Sequence, residues 1–380
     1  MAILYTEEQL EFKKMIRSFM ENEVKPELAK YDESGEFPQE LYKQAFEMGL
    51  HSLQVPEQYG GTALDNQTMA VILEEMGRVD PGFAITMLST AHTFTDILES
   101  GNDDQIRRAA DILMPGAHAS FVMTEPDAGS DPSGLKATAV KDGNEWVLNG
   151  VKCFATNGGY ADLYVIIATV DKSLGSKGTV AFMVESGTPG LQVGNHENKM
   201  GLRLSNTVTL YLDDLRVPEE NMLGKVGDGL KIALRGLDAG RVFNAAVSVG
   251  IAQHAIEEAT SYAKERKQFG KPIIKNQAIQ MMLADMQIRT EAARCMVFNT
   301  MKMMDSGVAD IRMEASCCKT FAADNAVKCA EDAVQIFGGY GYVKEYPVEK
   351  IMRDAKIFQI FEGTNQIQRI VVARELEKLY

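Results

Sequence analysis

Along the first third of the chain, apolar residues recur at helical intervals. Thr6 and Gln9 stand in capping-box positions, and Leu10, Phe12, Met15, Ile16 and Phe19 follow at helical spacing. Further helices are predicted near 38–48, 66–77 and 83–98, separated by breaks at Pro56, Gly60-Gly61 and Pro81-Gly82. From about Ser120 the period shortens. The segments 145–150, 163–168, 178–184 and 207–212 are short, rich in β-branched and aromatic residues, and bounded by Gly, Asn or Asp. Asp142-Gly143 and Asn149-Gly150 predict hairpin turns. No long helix interrupts this region, so a small antiparallel sheet is expected rather than a parallel doubly wound one. After about Gly224 long helical stretches return over 230–266, 277–306, 315–337 and 365–379, each long enough to span a bundle. The predicted fold is mainly α with a central β domain. An N-terminal helical domain (1–118) precedes a middle antiparallel β domain (119–224) and a C-terminal four-helix bundle (225–380).

Composition narrows the partners. The 380 residues are 45% hydrophobic and 24% charged, as in an ordinary globular protein. The net charge of −14 argues against nucleic acid or an anionic membrane as a partner, and an anionic substrate would need a local basic patch. The cysteines Cys153, Cys295, Cys317, Cys318 and Cys329 are odd in number without CxxC spacing, and the histidines are scattered without HExxH. Neither a disulfide framework nor a metal site is expected. Residues 1–10 carry no signal-peptide core, so the expected location is cytoplasmic, or the mitochondrial matrix if a transit peptide has been removed.

Against this background one segment stands out, Ile360-Phe361-Glu362-Gly363-Thr364. A carboxylate held among Ile360 and Phe361 would be poorly hydrated, and its pKa would rise from about 4.3 towards neutrality. That suits a base for a weakly acidic C–H proton. Gly363 permits a close turn and Thr364 can cap the following helix. A solvated loop glutamate is the ordinary alternative. The loop 121–131 offers backbone N–H groups and hydroxyls, although a plain linker has the same composition. Phe154 and Thr156 at a strand end would suit a flat ring, and an ordinary strand before Gly158-Gly159 would look alike. Arg266 to Pro272 is a helix end where cations are favoured with or without a phosphate. Gln335 to Tyr342 runs from a helix into a glycine-rich turn. Neither G-x-G-x-x-G after a strand nor a Walker A loop is present, which disfavours a Rossmann-bound nicotinamide and ATP.

Taken together these segments resemble the acyl-CoA dehydrogenase family, over essentially the whole chain and with several motifs in the family's order. The resemblance implies FAD as cofactor and an acyl-CoA substrate. Phe121, Met123, Thr124, Gly129 and Ser130 match a loop lining flavin and substrate, with Ser130 also on the substrate side. Phe154 and Thr156 match the strand end against the isoalloxazine, although many relatives have Trp at the first of these. Arg266 and Phe269, then Gln335, Gly338 and Gly339, then Thr364 and Gln366, match contacts to the FAD of a neighbouring subunit. Asp238 and Arg241 match the CoA-binding region, Gly363 adjoins the substrate, and Glu362 matches the catalytic base. In one branch of the family the base lies elsewhere, at a position aligned with Gly240, which has no side chain. Phe361 replaces a frequent Tyr.

The implied reaction is oxidation to a trans-2-enoyl-CoA, with the α proton taken by Glu362, the β hydride passed to flavin and the electrons to electron-transferring flavoprotein. The implied assembly is a homotetramer, a dimer of dimers. The segment 84–90 looks most like short-chain, butyryl-type relatives, and no arginine near Gly82-Phe83 suggests a dicarboxylic acyl group. The alternatives are the same site run in reverse as an enoyl-CoA reductase, an oxygen-using acyl-CoA oxidase, and a non-catalytic helical assembly protein.

Overall fold

The computed structural model describes residues 3–380. Helices α1 (Glu7–Phe19), α2 (Leu28–Ser34), α3 (Gln39–Glu47), α4 (Asn66–Val79), α5 (Pro81–Ser100) and α6 (Asp103–Leu113) form the first layer. Local chemistry sets their starts. Thr6 and Gln9 make the expected reciprocal capping box. Asp65 caps α4 by accepting from Thr68 N at 2.6 Å. Asp80 caps α5 by accepting from Phe83 N at 2.7 Å, with Pro81 in the first turn. Pro81-Gly82, expected as a break, therefore opens a helix, and Asp80 alone separates α4 from α5.

The middle of the chain is an eight-stranded sheet of β1 (His118–Val122), β2 (Thr138–Asp142), β3 (Glu145–Thr156), β4 (Ala161–Thr169), β5 (Thr179–Glu185), β6 (Leu191–His196), β7 (Thr207–Pro218) and β8 (Met222–Leu223). Its order is β6-β7-β3-β2-β4-β5-β8, with β1 beside β4. Most pairings are antiparallel as expected, but β1 and β2 run parallel to β4. β1 enters the sheet from α6, not through a hairpin, so no tight turn dictates its direction. Asp142-Gly143 lies in the β2–β3 hairpin, where Asp142 pairs with Glu145. Asn149-Gly150 does not make a hairpin. It lies inside β3 at an irregularity in the β7 register, and a Cβ at residue 150 would sit 2.7 Å from Ala137 Cβ. The glycine there serves close strand approach.

The last layer contains α7 (Gly229–Glu265), α8 (Gln277–Asp305), α9 (Arg312–Phe337), the short α10 (Val348–Ala355) and α11 (Asn365–Leu379). α7, α8 and α9 pack on one another, α11 on α9, and α4 on α7 and α8. The α4–α7 crossing is close because glycine faces backbone from both sides. A Cβ at Gly77 would lie 2.6 Å from Val247 O, and one at Gly250 would lie 2.2 Å from Glu74 O. Two buried ion networks hold the layers in register. Arg294 on α8 meets Glu74 on α4 at 2.9 Å. Lys350 on α10 lies 2.6 Å from both Asp80 and Asp354, and Asp354 accepts from Leu202 N at 2.7 Å. The second network joins all three layers.

Candidate active site

A short 3₁₀ turn, Lys356–Gln359, leads into Glu362, whose φ is +56°, and Gly363, whose φ is +80°. Left-handed backbone costs a non-glycine residue about 1–2 kcal/mol, so its surroundings must hold it there. Gln368 Nε2 donates to Glu362 O at 3.0 Å and to Gly363 O at 3.2 Å. Lys319 on α9 donates to Gly363 O and Asn365 Oδ1, each at 2.8 Å. Arg241 on α7 reaches Glu362 O at 3.5 Å. Thr364 caps α11 by accepting from Ile367 N at 3.2 Å. Burial lowers the Lys319 ammonium pKa to about 8, opposed by the Glu362 carboxylate nearby.

These contacts aim the carboxylate inward. Glu362 Oε2 is shielded from solvent and has no hydrogen-bond partner among the described residues. The shielding differs from the sequence expectation, because Ile360 is 49% exposed. The oxygen instead faces α7 and α5. A Cβ at Gly240 would stand 3.4 Å from Oε2 and 3.2 Å from His92 Cε1. A side chain at residue 240 would therefore fill the space that the carboxylate faces. Glu362 N–H has no acceptor among the described residues. The site thus combines a bare carboxylate oxygen with a free backbone donor on the same residue.

Arg241 is buried and its Nη1 meets Asp238 Oδ1 at 2.5 Å. Burial raises the Asp238 carboxyl pKa while Arg241 opposes it. The guanidinium is thus committed to Asp238 and to the carbonyl of residue 362, so it stands as a support of the turn more than as an open cation.

A second group of predicted residues lies along the sheet rim. Phe121 closes β1, and Met123 and Thr124 follow, all partly buried, while Gly129 and Ser130 are exposed. The buried Lys152 donates to Met123 O at 3.0 Å and meets Glu125 Oε1 at 2.7 Å. Glu125 also accepts from Lys136 N and Ala137 N, at 2.6 and 3.0 Å. This rigid corner sits beneath the loop. Phe154 has φ +57° within the β3 irregularity, and its ring is 65% exposed. Thr156 is partly buried, and its carbonyl accepts from Ser120 Oγ at 2.6 Å. An uncovered aromatic held out by strained backbone beside Thr156 fits the flat ring of a flavin.

A third group surrounds a cleft of about 850 Å³ at the far end of α7, lined by Arg266, Tyr340, Gly338 and Gly339 among others. The Arg266 guanidinium lies 5.4 Å from the Tyr340 ring centre. No heavy atom would come within 4 Å of a Cβ at Gly338 or Gly339. Gln335 is exposed on the adjoining turn of α9 and Gln366 on the first turn of α11. Phe269 is 95% exposed at φ +51°. From Gly240 to Arg266 along α7 is about 39 Å, so this cleft is separate from the space at Glu362.

The sequence reading missed His92 and Lys319 beside the base and Lys152 with Glu125 beneath the loop. His92 and Lys319 lie in helices and Lys152 in a strand, while Glu125 belongs to the loop 121–131 itself, and only the fold shows the partner of each.

Family models for the N-terminal, middle and C-terminal domains of acyl-CoA dehydrogenase match residues 6–115, 120–215 and 227–377. An acyl-CoA dehydrogenase of Bacillus subtilis is 44% identical over 375 residues, covering 98% of both chains. The structure of butyryl-CoA dehydrogenase from Megasphaera elsdenii superposes with a TM-score of 0.96 at 40% identity, covering 99% of this chain and 100% of that one. A chain solved in work on the electron-transferring flavoprotein of Acidaminococcus fermentans and flavin-based electron bifurcation has a TM-score of 0.96 at 42% identity, covering 99% of each. The chain belongs to the acyl-CoA dehydrogenase family of flavin-dependent oxidoreductases, whose cofactor is FAD. Among the described residues no helix is long and apolar enough to cross a membrane, and no cluster could hold a metal ion.

Proposed function

We propose that this protein oxidises a short-chain acyl-CoA to its trans-2-enoyl-CoA, with Glu362 as the base. The observation that carries the reading is the shielded, unpartnered Oε2 of Glu362 facing the space left by Gly240. A poorly solvated carboxylate without a donor is poised to accept a proton. The free N–H of Glu362 is placed to donate a hydrogen bond to the thioester oxygen as negative charge develops there, which the α proton needs in order to become acidic. Lys319, Gln368 and Arg241 fix that N–H and the carboxylate together by holding the turn. FAD, when bound, supplies the acceptor for the β hydride.

Phe154 and Thr156 would hold the flavin ring, and Met123, Thr124, Gly129 and Ser130 would close over it and the thioester. Arg266, Phe269, Gln335, Gly338, Gly339, Thr364 and Gln366 would contact the FAD of another copy. The cleft formed by Arg266, Gly338 and Gly339 lies too far along α7 to complete the site at the same chain's Glu362, whereas Thr364 and Gln366 start the helix directly after that residue. This supports an assembly of several chains, and electrons pass on to an electron-transferring flavoprotein. The likeness to butyryl-CoA dehydrogenase favours a short acyl chain.

The test is Glu362→Gln. The variant is expected to retain FAD and its yellow colour while bleaching by butyryl-CoA slows by on the order of 10⁴-fold. Bleaching at the parental rate would place the base elsewhere.

A further inference from the structure

The space beside Glu362 has a polar wall that simple hydrocarbon substrates do not require. His92 on α5 points its Cε1–Nδ1 edge at the position a Cβ of Gly240 would take, 3.2 and 3.6 Å away, and Glu362 Oε2 lies 3.4 Å from the same point. On its other side, Nε2 faces Asp96 Oδ1 at 3.8 Å. A Cβ at Gly236 would strike both of these atoms at 2.4 Å, so α7 accommodates the pair only as glycine. Neither ring nitrogen has a hydrogen-bond partner among the described residues, and Nε2 is shielded from solvent. The imidazole is steadied by Phe121, whose ring lies nearly parallel at 6.3 Å. Nδ1 is the nitrogen that faces the space; a bound acyl chain would cover it, and a polar group covered without a partner costs about 1–3 kcal/mol.

We propose that the His92–Asp96 pair is a specificity element that recognises a neutral hydroxyl on the acyl group, on the carbon next after the reacting pair. This inference rests on the acyl-CoA reading above. A hydroxyl suits the site better than other polar groups for two reasons. Burial raises the Asp96 carboxyl pKa to about 7, and the imidazole facing it carries one donor and one acceptor nitrogen whose places depend on the tautomer. Nδ1 is then an acceptor or a donor, and a hydroxyl satisfies both. A carboxylate would instead meet two further carboxyl groups, Glu362 and Asp96, in the same wall. Arg235, which also acts on Asp96, is exposed.

The test compares anaerobic flavin bleaching by γ-hydroxybutyryl-CoA and butyryl-CoA, which have the same carbon skeleton. In the parent protein, the second-order rate constant of bleaching by the hydroxylated substrate should equal or exceed that for butyryl-CoA. His92→Leu should lower the ratio of the two about tenfold, the worth of one hydrogen bond, and His92→Asn should restore part of it. A parent that prefers butyryl-CoA overturns the inference, whether or not the variants fold. So does a flavin-loaded His92→Leu with an unchanged ratio. Bleaching by neither substrate overturns the acyl-CoA reading itself and removes the basis of the inference with it. Bleaching by butyryl-CoA alone leaves that reading standing and sinks only the hydroxyl specificity.

Discussion

At the scale of single residues, the site is built from groups that are each unfavourable alone. Glu362 occupies left-handed backbone, Lys319 is a buried ammonium, and Asp96 is a buried carboxyl. Asp96 makes the cost measurable. Its folded pKa of about 7 lies above the ordinary 3.8, so between these values the folded state binds more protons than the unfolded state. Stability contributed by the protonated carboxyl is full below about pH 4 and is lost as pH rises towards 7. Asp96→Asn removes this titration. The variant should gain stability relative to the parent as pH rises from 4 to 7, by up to a few kcal/mol. Denaturant unfolding of both proteins across that range checks it, and a constant difference would show that Asp96 is already ionised in the fold.

At the scale of elements, what could be read from the sequence was what local chemistry decides. The capping box at Thr6 and the helix begun by Thr364 depend on neighbours three residues away, and both form as expected. The α–β–α order was legible because hydrophobic period changes with element type. Other features were obscured by longer-range contacts. Helix α6 is an exception, since its Asn102–Gln105 capping box and its apolar positions Ile106, Ala109, Ala110 and Leu113 are local signals that the sequence reading passed over. Asn149-Gly150 has hairpin composition but lies where β3 passes close to Ala137. Glu362 could be singled out from its own turn, whereas His92 and Lys319 acquire meaning only when α5 and α9 pack against it. Helix crossings were equally hidden, and they carry a prediction. Gly250→Ala would drive a methyl group into Glu74 O at 2.2 Å, where neither helix can yield cheaply. A loss of about 1–3 kcal/mol is expected, seen as a thermal midpoint several degrees lower. An unchanged midpoint would mean that the α4–α7 interface is looser than this geometry.

At the scale of the whole molecule, the question is why a stable chain leaves Phe269 95% exposed on left-handed backbone at the end of its longest helix. Within the chain this ring contributes almost no burial, while the backbone is strained, so folding alone gives no reason for it. Beside it, Arg266 and the bare glycines 338 and 339 form a cleft remote from the chain's own base. A second copy bringing its flavin to this cleft would account for all of these features. Phe269→Asp is therefore an informative change, since it alters a side chain that is solvent-exposed in the single chain. The thermal midpoint of the flavin-free chain should stay within about a degree of the parent, because exposed substitutions shift stability by at most about 0.5 kcal/mol. The flavin-loaded protein should behave differently. Sedimentation should show smaller species at low micromolar concentration, and flavin should be lost on dilution more readily than from the parent. If Phe269→Asp sediments with the parent and keeps its flavin equally well, the ring lies outside any contact between copies, and each subunit completes its cofactor site without that loop.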